Sequence, residues 1–256
     1  MREWRQRRHL SQLALALKSD TSQRHLSFVE SGRAQPSREM VLRMAEQLDV
    51  PLRERNRLLL AAGYAPAYAE RLLSHPALEV AHSAVERVLT GHEPYPALAV
   101  DRFWTLVSAN RAVAPFLTGA APSLLRPPVN VLRLSLHPEG LAPRIVNFQQ
   151  WRAHILERLR RQCEASGDPA LAELFDELSH YPMSSTRRSA PPARVDDGAG
   201  VFIPLQLSTD DGMLSFISTT TVFGTPIDVT LAEIALECFF PADAVTAERL
   251  RRSAAA

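Results

Sequence analysis

The sequence predicts an α+β fold with two domains: an all-α bundle of about five helices, then an α/β domain whose antiparallel sheet has about five strands. Apolar residues recur at helical spacing up to about residue 64, and strand-like runs begin only after the breaker Glu93–Pro96. Charge divides the same way. Of the 29 basic and 28 acidic residues, eight and three lie in residues 1–38, giving +5 there and −4 in the remainder. We therefore expect one domain over residues 1–64, a linker and connecting helix over 65–95, and a second domain over 96–256.

The basic N-terminal part contains two short helices joined by a tight turn, between Ser11 and Pro36. The first helix has an apolar face that we expect to be buried: Leu10, Leu13, Ala14 and Leu17. Turn-forming residues follow, and Ser22 is placed to cap a second helix that ends at Gly32. The remaining predicted helices of this domain are Arg2–Arg8, one capped by Ser37, and Leu52–Ala62. This arrangement predicts a helix-turn-helix with Ser22–Ser31 as the recognition helix.

The recognition helix carries side chains suited to double-stranded DNA. Gln and Arg make bidentate contacts to adenine and guanine in the major groove. Residues expected to face the bases are Gln23, Arg24, His25 and Phe28, with Ser27 on the same face. Residues expected to contact phosphates are Gln12, Ser22, Arg33 and Arg38. We expect a homodimer that places two recognition helices about 34 Å apart on a near-palindromic operator.

The segment Arg2–Gly63 resembles the Cro/repressor-type (XRE) helix-turn-helix family. The resemblance rests on Ala16 between the helices, Leu26 in the core and the run Glu30-Ser-Gly-Arg33. It implies that Glu30 pairs internally with an arginine of the first helix, which at matching spacing is Arg5. The turn departs from the family at Asp20, where glycine is common, but Asp tolerates the left-handed conformation.

Residues 24–66 and the run VDRFWTLVSANRAVAPFL (residues 100–117) more specifically resemble the bacterial MmyB-like regulators. This resemblance implies a one-component transcription regulator with a PAS-like ligand-binding domain after the DNA-binding domain. It also implies that a small apolar molecule, such as a fatty acid, occupies that domain. We expect no other cofactor.

The C-terminal part alternates between strands and helices. The predicted strands are Ala97–Arg102, Phe103–Ser108, Val201–Ser208, Leu214–Val222 and Ile234–Phe240. The predicted helices are Ala77–Leu89, Arg111–Leu117, Val146–Ala165, Pro169–Tyr181 and Val245–Arg252. Met183–Gly200, rich in Ser, Pro, Arg and Asp, is predicted to be a loop.

A sheet covered by helices can enclose an apolar cavity. Residues expected to line it are Phe103, Trp104, Leu106, Phe116, Leu132, Leu136, Trp151 and Ile155, with Phe202 and Phe216 as further candidates. Polar residues expected to anchor a carboxylate head group are Asn110, Arg133, His137 and His154. The alternative for each apolar residue is a plain core position, in which case the second domain serves only in dimerisation or protein interaction.

Catalytic motifs are absent from the sequence. It has no Gly-x-Ser-x-Gly elbow, Gly-x-Gly-x-x-Gly turn or phosphate loop, and its two cysteines lack Cys-x-x-Cys spacing. His75 and His82 are badly spaced for one metal. We therefore expect no enzyme and no metal site, and an enzyme fused to a DNA-binding head is the least favoured alternative. An Arg-rich N-terminus and the lack of long apolar runs predict a cytoplasmic protein without a membrane partner.

Overall fold

The computed structural model describes residues 1–182 and 202–255, which form two compact units. The first unit contains Met1–Leu73 together with Glu164–Ser166 and Thr225–Ala232. The second contains the other described residues. The loop predicted over Met183–Gly200 and the first residue of the predicted strand at Val201 lie outside the described residues.

Residues 1–61 form the predicted bundle of five helices: α1 (Arg2–Arg7), α2 (Gln12–Lys18), α3 (Gln23–Glu30), α4 (Arg38–Gln47) and α5 (Leu52–Ala61). A serine precedes three of them, and its hydroxyl oxygen accepts a backbone N–H from the first turn: Ser11 before α2, Ser22 before α3 and Ser37 before α4. The core of the bundle is apolar and includes Trp4, Leu15, Ala16, Leu26, Met44, Ala45, Leu48 and Val50. The predicted left-handed conformation of Asp20 is confirmed, with φ of 50°.

The predicted buried face of α2 is wrong. Leu13 and Leu17 are 51% and 74% exposed, whereas Leu15 and Ala16 are buried. Every position from Leu13 to Leu17 is apolar, so spacing alone did not select a face. The face is set instead by the packing of α2 against both α3 and α4.

In the second unit, the described residues form a five-stranded antiparallel sheet, which confirms the predicted α+β fold. Its strands are β1 (Ala97–Val100), β2 (Leu106–Ala109), β3 (Leu205–Thr209), β4 (Gly212–Val222) and β5 (Ala235–Pro241). The order is β2-β1-β5-β4-β3, so β5 is central. The tight turn between β3 and β4 uses Gly212 with φ of +109°, a value that favours glycine.

Helices cover this sheet and surround a large apolar core. They are α6 (Glu79–Gly91), α7 (Val131–Leu136), α8 (Phe148–Ser166), α9 (Pro169–Ser179) and α10 (Ala244–Ala255), with short 3₁₀ helices at Pro76–Leu78, Arg111–Leu117, Pro122–Leu125 and Ala142–Arg144. Helix α8 contributes Trp151, Ile155 and Leu159, which recur every four residues on its buried face. None of the described helices is long and apolar enough to cross a bilayer.

The predicted strand Phe103–Ser108 begins too early. Phe103 and Trp104 lie in the turn between β1 and β2, and β2 starts at Leu106. The Asp101 carboxylate accepts the backbone N–H groups of Phe103 and Thr105, each at 2.8 Å. These two hydrogen bonds keep residues 101–105 in a turn, so strand β2 begins only at Leu106. Trp104 has φ of 64°, an uncommon conformation for a bulky residue.

Candidate functional site

The outward face of α3 presents Gln23 and Arg24 as exposed side chains. The Arg24 guanidinium lies 5.5 Å from the centre of the Phe28 ring, one helical turn away. His25, Ser27 and Phe28 are half-buried. Helix α3 therefore offers a surface on which polar groups surround one aromatic ring.

Two cationic side chains follow α3. The chain leaves the helix through Gly32, with φ of 73°, and the Arg33 N–H donates to the Phe28 carbonyl oxygen at 2.8 Å. Arg33 and Arg38 are exposed, and neither has an ion-pair partner within residues 1–182 and 202–255. Both guanidinium groups are available to an external anion.

A buried ionic cluster fixes α3 to the two helices before it. Arg5 donates from Nε and Nη2 to the two carboxylate oxygens of Glu30, each at 2.8 Å, which confirms the predicted pair. Gln12 donates from Nε2 to the same carboxylate at 2.9 Å, and the Glu30 side chain is 0% exposed. Burial raises the pKa of Glu30, but the hydrogen bonds from Arg5 and Gln12 and the charges of Arg5 and Arg2 outweigh it, so the net pKa lies below its ordinary value.

The predicted phosphate contacts Gln12 and Ser22 both make hydrogen bonds within the unit. The Gln12 amide uses one of its two N–H donors on Glu30. The Ser22 hydroxyl oxygen accepts the His25 N–H at 3.1 Å, which leaves its O–H free to donate. Each side chain therefore retains a donor for a phosphate oxygen.

The structure brings most of the apolar ligand candidates into one cluster. Trp104, Leu132, Leu136, Trp151 and Ile155 are buried in the core of the second unit. Phe103 and Phe116 are half-buried and pack against it, with the Phe116 ring edge-on to Phe216 at 5.7 Å. Leu106 is half-buried on β2, and Phe202 is 45% exposed.

Two of the four polar candidates, Asn110 and Arg133, are held by different partners. Asn110 is buried, donates to the carbonyl oxygens of Leu89 and Tyr95, and accepts the Ala97 N–H. Arg133 is exposed and makes a bidentate ion pair with Glu177.

The two histidine candidates have different neighbours, and His137 shares Tyr181 and Glu177 with Arg133. His137 accepts the Glu139 N–H on its Nδ1 and contacts the Tyr181 ring edge-on at 5.0 Å. His154 is the member beside the aromatic core, 5.5 Å from the Trp151 ring. Burial, followed by the nearby Arg158 charge, lowers the pKa of His154.

A second ionic cluster, missed by sequence reasoning, lies next to these aromatic residues. Arg158 of α8 donates to both carboxylate oxygens of the buried Glu237 on β5, at 2.6 and 3.1 Å, and to the Thr220 hydroxyl at 2.7 Å. The Arg158 guanidinium lies 4.5 Å from the centre of the Trp104 ring. The indole N–H of Trp104 donates to Gln162 at 2.8 Å. The available signal was a lone glutamate inside an apolar strand, three residues after Ile234.

Comparison with known proteins gives two family matches. Residues 81–252 match the model for the MmyB-like transcription regulator ligand binding domain, and residues 1–55 match the model for a helix-turn-helix. Both resemblances predicted from the sequence are confirmed. The search of curated proteins found no match.

Among solved structures, the chain is similar to one titled "Structure of an RNA-binding Light-Oxygen-Voltage Receptor". The match covers 94% of this chain and 55% of that one, at 13% identity and a TM-score of 0.29. The chain thus spans about half the length of that protein.

Proposed function

The chain belongs to the MmyB-like transcription regulators, as a DNA-binding regulator with a ligand-binding domain, and from this premise we propose that it binds a near-palindromic operator as a homodimer in the cytoplasm. The observation that carries this proposal is the exposed face of α3. Gln23 and Arg24, the two residues best suited to reading bases, point away from the core and have no ion pair or hydrogen bond within the described residues.

In this proposal α3 enters the major groove with its N-terminal turn toward the bases. Arg24 and Gln23 contact guanine and adenine edges, and Phe28 contacts a thymine methyl group. Ser22, Arg33 and Arg38 bind phosphates on either side and set the register. The Arg5–Glu30 pair takes no part in binding, but it holds α3 at a fixed angle on α1.

The proposed dimer follows from the geometry of the operator. One α3 helix reaches only a few base pairs, whereas two related by a two-fold axis read half-sites about 34 Å apart along the duplex. Doubling the contacts in this way raises both affinity and specificity.

The proposed ligand is a small apolar molecule with an anionic head, such as a fatty acid, held in the second unit. The cluster around Trp104, Trp151 and Ile155 supplies the apolar surface. Arg158, which is paired with Glu237, and His154 lie beside it as hydrogen-bonding groups. Such a ligand alters DNA affinity only by binding unequally to the DNA-competent and incompetent states.

An alternative proposal is that the second unit is only a dimerisation or interaction module. The observation that favours it is the internal use of the polar candidates: Asn110 is satisfied by backbone groups and Arg133 by Glu177. A second unit with an ordinary apolar core and no ligand would show the same internal hydrogen bonds.

Operator selection tests the DNA-binding proposal. The complete chain is used to select duplexes from a random pool, and the winners are footprinted. The proposal predicts two protected half-sites of related sequence, centred about one helical turn apart. Selection without any sequence preference would contradict it.

Native mass spectrometry, with a denatured control of the same sample, distinguishes a ligand-binding second unit from one that serves only in dimerisation or interaction. A dimer with extra mass that is lost on denaturation supports the ligand proposal. A dimer that binds no added dodecanoate supports the interaction module, and a monomer both alone and on the selected duplex contradicts the dimer.

A further inference from the structure

The connection between β4 and β5 is much longer than its strands require. Val222, the last residue of β4, pairs directly with Ala235, the first residue of β5, so the two ends of the connection are neighbours in the sheet. Neighbouring antiparallel strands need a loop of about two to five residues. Here twelve residues, 223–234, join them. Of these, Thr225–Ala232 belong to the first unit, whereas both strands belong to the second.

This segment, which we call the clasp, docks through one strand-like contact and one ion pair. The Val229 N–H donates to the Ala69 carbonyl oxygen at 2.8 Å. Arg71 donates from Nη1 to Oδ2 of Asp228 at 2.8 Å. The Asp228 side chain is 4% exposed and Val229 is 0% exposed. The clasp is therefore packed, although its neighbour Ile227 remains 82% exposed.

The residues that receive the clasp are anchored on the helix-turn-helix bundle. Asn56 of α5 is buried and accepts the N–H groups of Ala67 and Tyr68 on Oδ1, at 2.9 and 3.0 Å. Its Nδ2 donates to the Tyr68 carbonyl oxygen at 2.7 Å. The short helical turn Val229–Ala232 also packs against α5. The clasp is thus in direct contact with α5, the last helix of the bundle.

At its other end the clasp leads into the centre of the sheet. Only seven residues separate Val229 from Glu237, the β5 residue that binds Arg158 beside Trp104. Opening of the clasp breaks the Arg71–Asp228 ion pair and the Val229–Ala69 hydrogen bond but leaves β4 paired with β5, so it is a local opening and not the unfolding of a unit. A segment that exchanges between a docked and an undocked state couples two sites when both bias that equilibrium.

We propose that docking of the clasp, Thr225–Ala232, on residues 67–71 is thermodynamically linked to operator binding, so that the clasp passes the state of the sheet to the helix-turn-helix. The linkage rests on the proposed DNA binding and not on the identity of any ligand. Because linkage is reciprocal, operator DNA must change the stability of the docked clasp.

Hydrogen exchange of the Val229 amide in the complete chain tests this directly, free and bound to a duplex selected by the wild-type protein. The expected result is a change of about fivefold or more in the exchange rate on DNA binding. The Leu106 amide, which donates to Val129 at 2.7 Å within the second unit, serves as the reference and should not change. A Val229 rate within about twofold of its free value overturns the proposal.

Asp228→Asn supplies the matching perturbation. It removes the charge that pairs with Arg71 but keeps an Oδ1 acceptor for the Thr230 N–H, so the turn remains capped. We expect operator affinity to change about fivefold or more, and Arg71→Ala to give a non-additive effect in the double variant. Arg71→Lys keeps the positive charge that pairs with Asp228, so its operator affinity should equal that of the wild type.

Arg111→Ala is the control, because it removes an exposed ion pair with Glu93 elsewhere in the chain. Equal affinities for wild type, Asp228→Asn and Arg111→Ala overturn the clasp while leaving the proposed function intact. Failure of the wild-type protein to select any duplex overturns both.

Discussion

Among the described residues, each unit contains a buried glutamate held by a bidentate arginine, but the two pairs stabilise different kinds of surface. Glu30 and Arg5, with Gln12 as a further donor, join α1, α2 and α3. Glu237 and Arg158, with Thr220 as a further donor, join α8 to the sheet. The first pair supports a helix whose polar residues face outward. The second places a cation against the aromatic core.

The difference shows how position decides what an ion pair contributes. Glu30 pairs with Arg5 on the buried side of α3, so Gln23 and Arg24 on the opposite side stay exposed. Arg158 lies over Trp104 and is partly desolvated, so it is both part of the packing and a charged group inside the unit. The two pairs should therefore respond differently to removal.

Glu30→Ala should have the largest effect. It leaves Arg5 buried and unpaired, and breaking a buried pair in this way costs about 3–5 kcal/mol. The free energy of opening, measured by hydrogen exchange at the Leu26 amide of α3, should fall by that amount. Glu3→Ala, which removes an exposed partner of Arg7, is the control and should change it little. A loss of less than about 1 kcal/mol for Glu30→Ala would contradict the structural role.

Glu237→Leu should cost less, about 2–3 kcal/mol, because the Arg158 side chain keeps 30% exposure and regains water when unpaired. Hydrogen exchange at the Phe239 amide of β5 measures this. Adding Arg158→Met should recover most of the loss, since an apolar pair of similar volume replaces a buried ionic one. No recovery in the double variant would mean that Arg158 stabilises β5 through other contacts.

Arg33→Ala should weaken operator binding by about 1 kcal/mol, equally for all sequences, and should make the salt dependence shallower by about one counterion. Binding titrations over a range of salt concentrations measure both. Arg57→Ala, on α5 and paired with Glu54, is a control of the same charge change. An unchanged slope for Arg33→Ala would remove Arg33 from the phosphate contacts.

The stability contributed by the Glu30 pair should hardly change with pH near neutrality, which makes this the smallest of the expected effects. The folded pKa of Glu30 lies below its ordinary value, so the unfolded chain takes up the proton first as pH falls. The stabilisation is present in full above about pH 4.3 and is lost as pH falls through the folded pKa. Urea unfolding at several pH values should show wild type and Glu30→Gln converging at acid pH. A constant difference between them would contradict the low pKa.

The parts of the structure that depend on local pattern were predictable. Serine caps, strand runs and the turn before Gly212 are fixed within a few residues. The Arg5–Glu30 pair was found only through family resemblance, because no local rule joins residues 25 apart.

Other parts depend on packing between distant segments and were not predictable. The run LALAL at residues 13–17 offers an apolar face in any direction, so its buried side is chosen by α3 and α4. Likewise, nothing near Asp228 in the sequence indicates Arg71, which lies 157 residues earlier. The same applies to Arg158 and Glu237.

The most direct test of the recognition surface is the affinity of wild type and Arg24→Ala for a panel of all single base-pair changes in the selected operator. We expect Arg24→Ala to lose about 1–3 kcal/mol on the parent operator and to lose discrimination at one base pair in each half-site, with the other positions still read. The same affinity and the same pattern of preferences in both proteins would contradict the placement of α3 in the major groove.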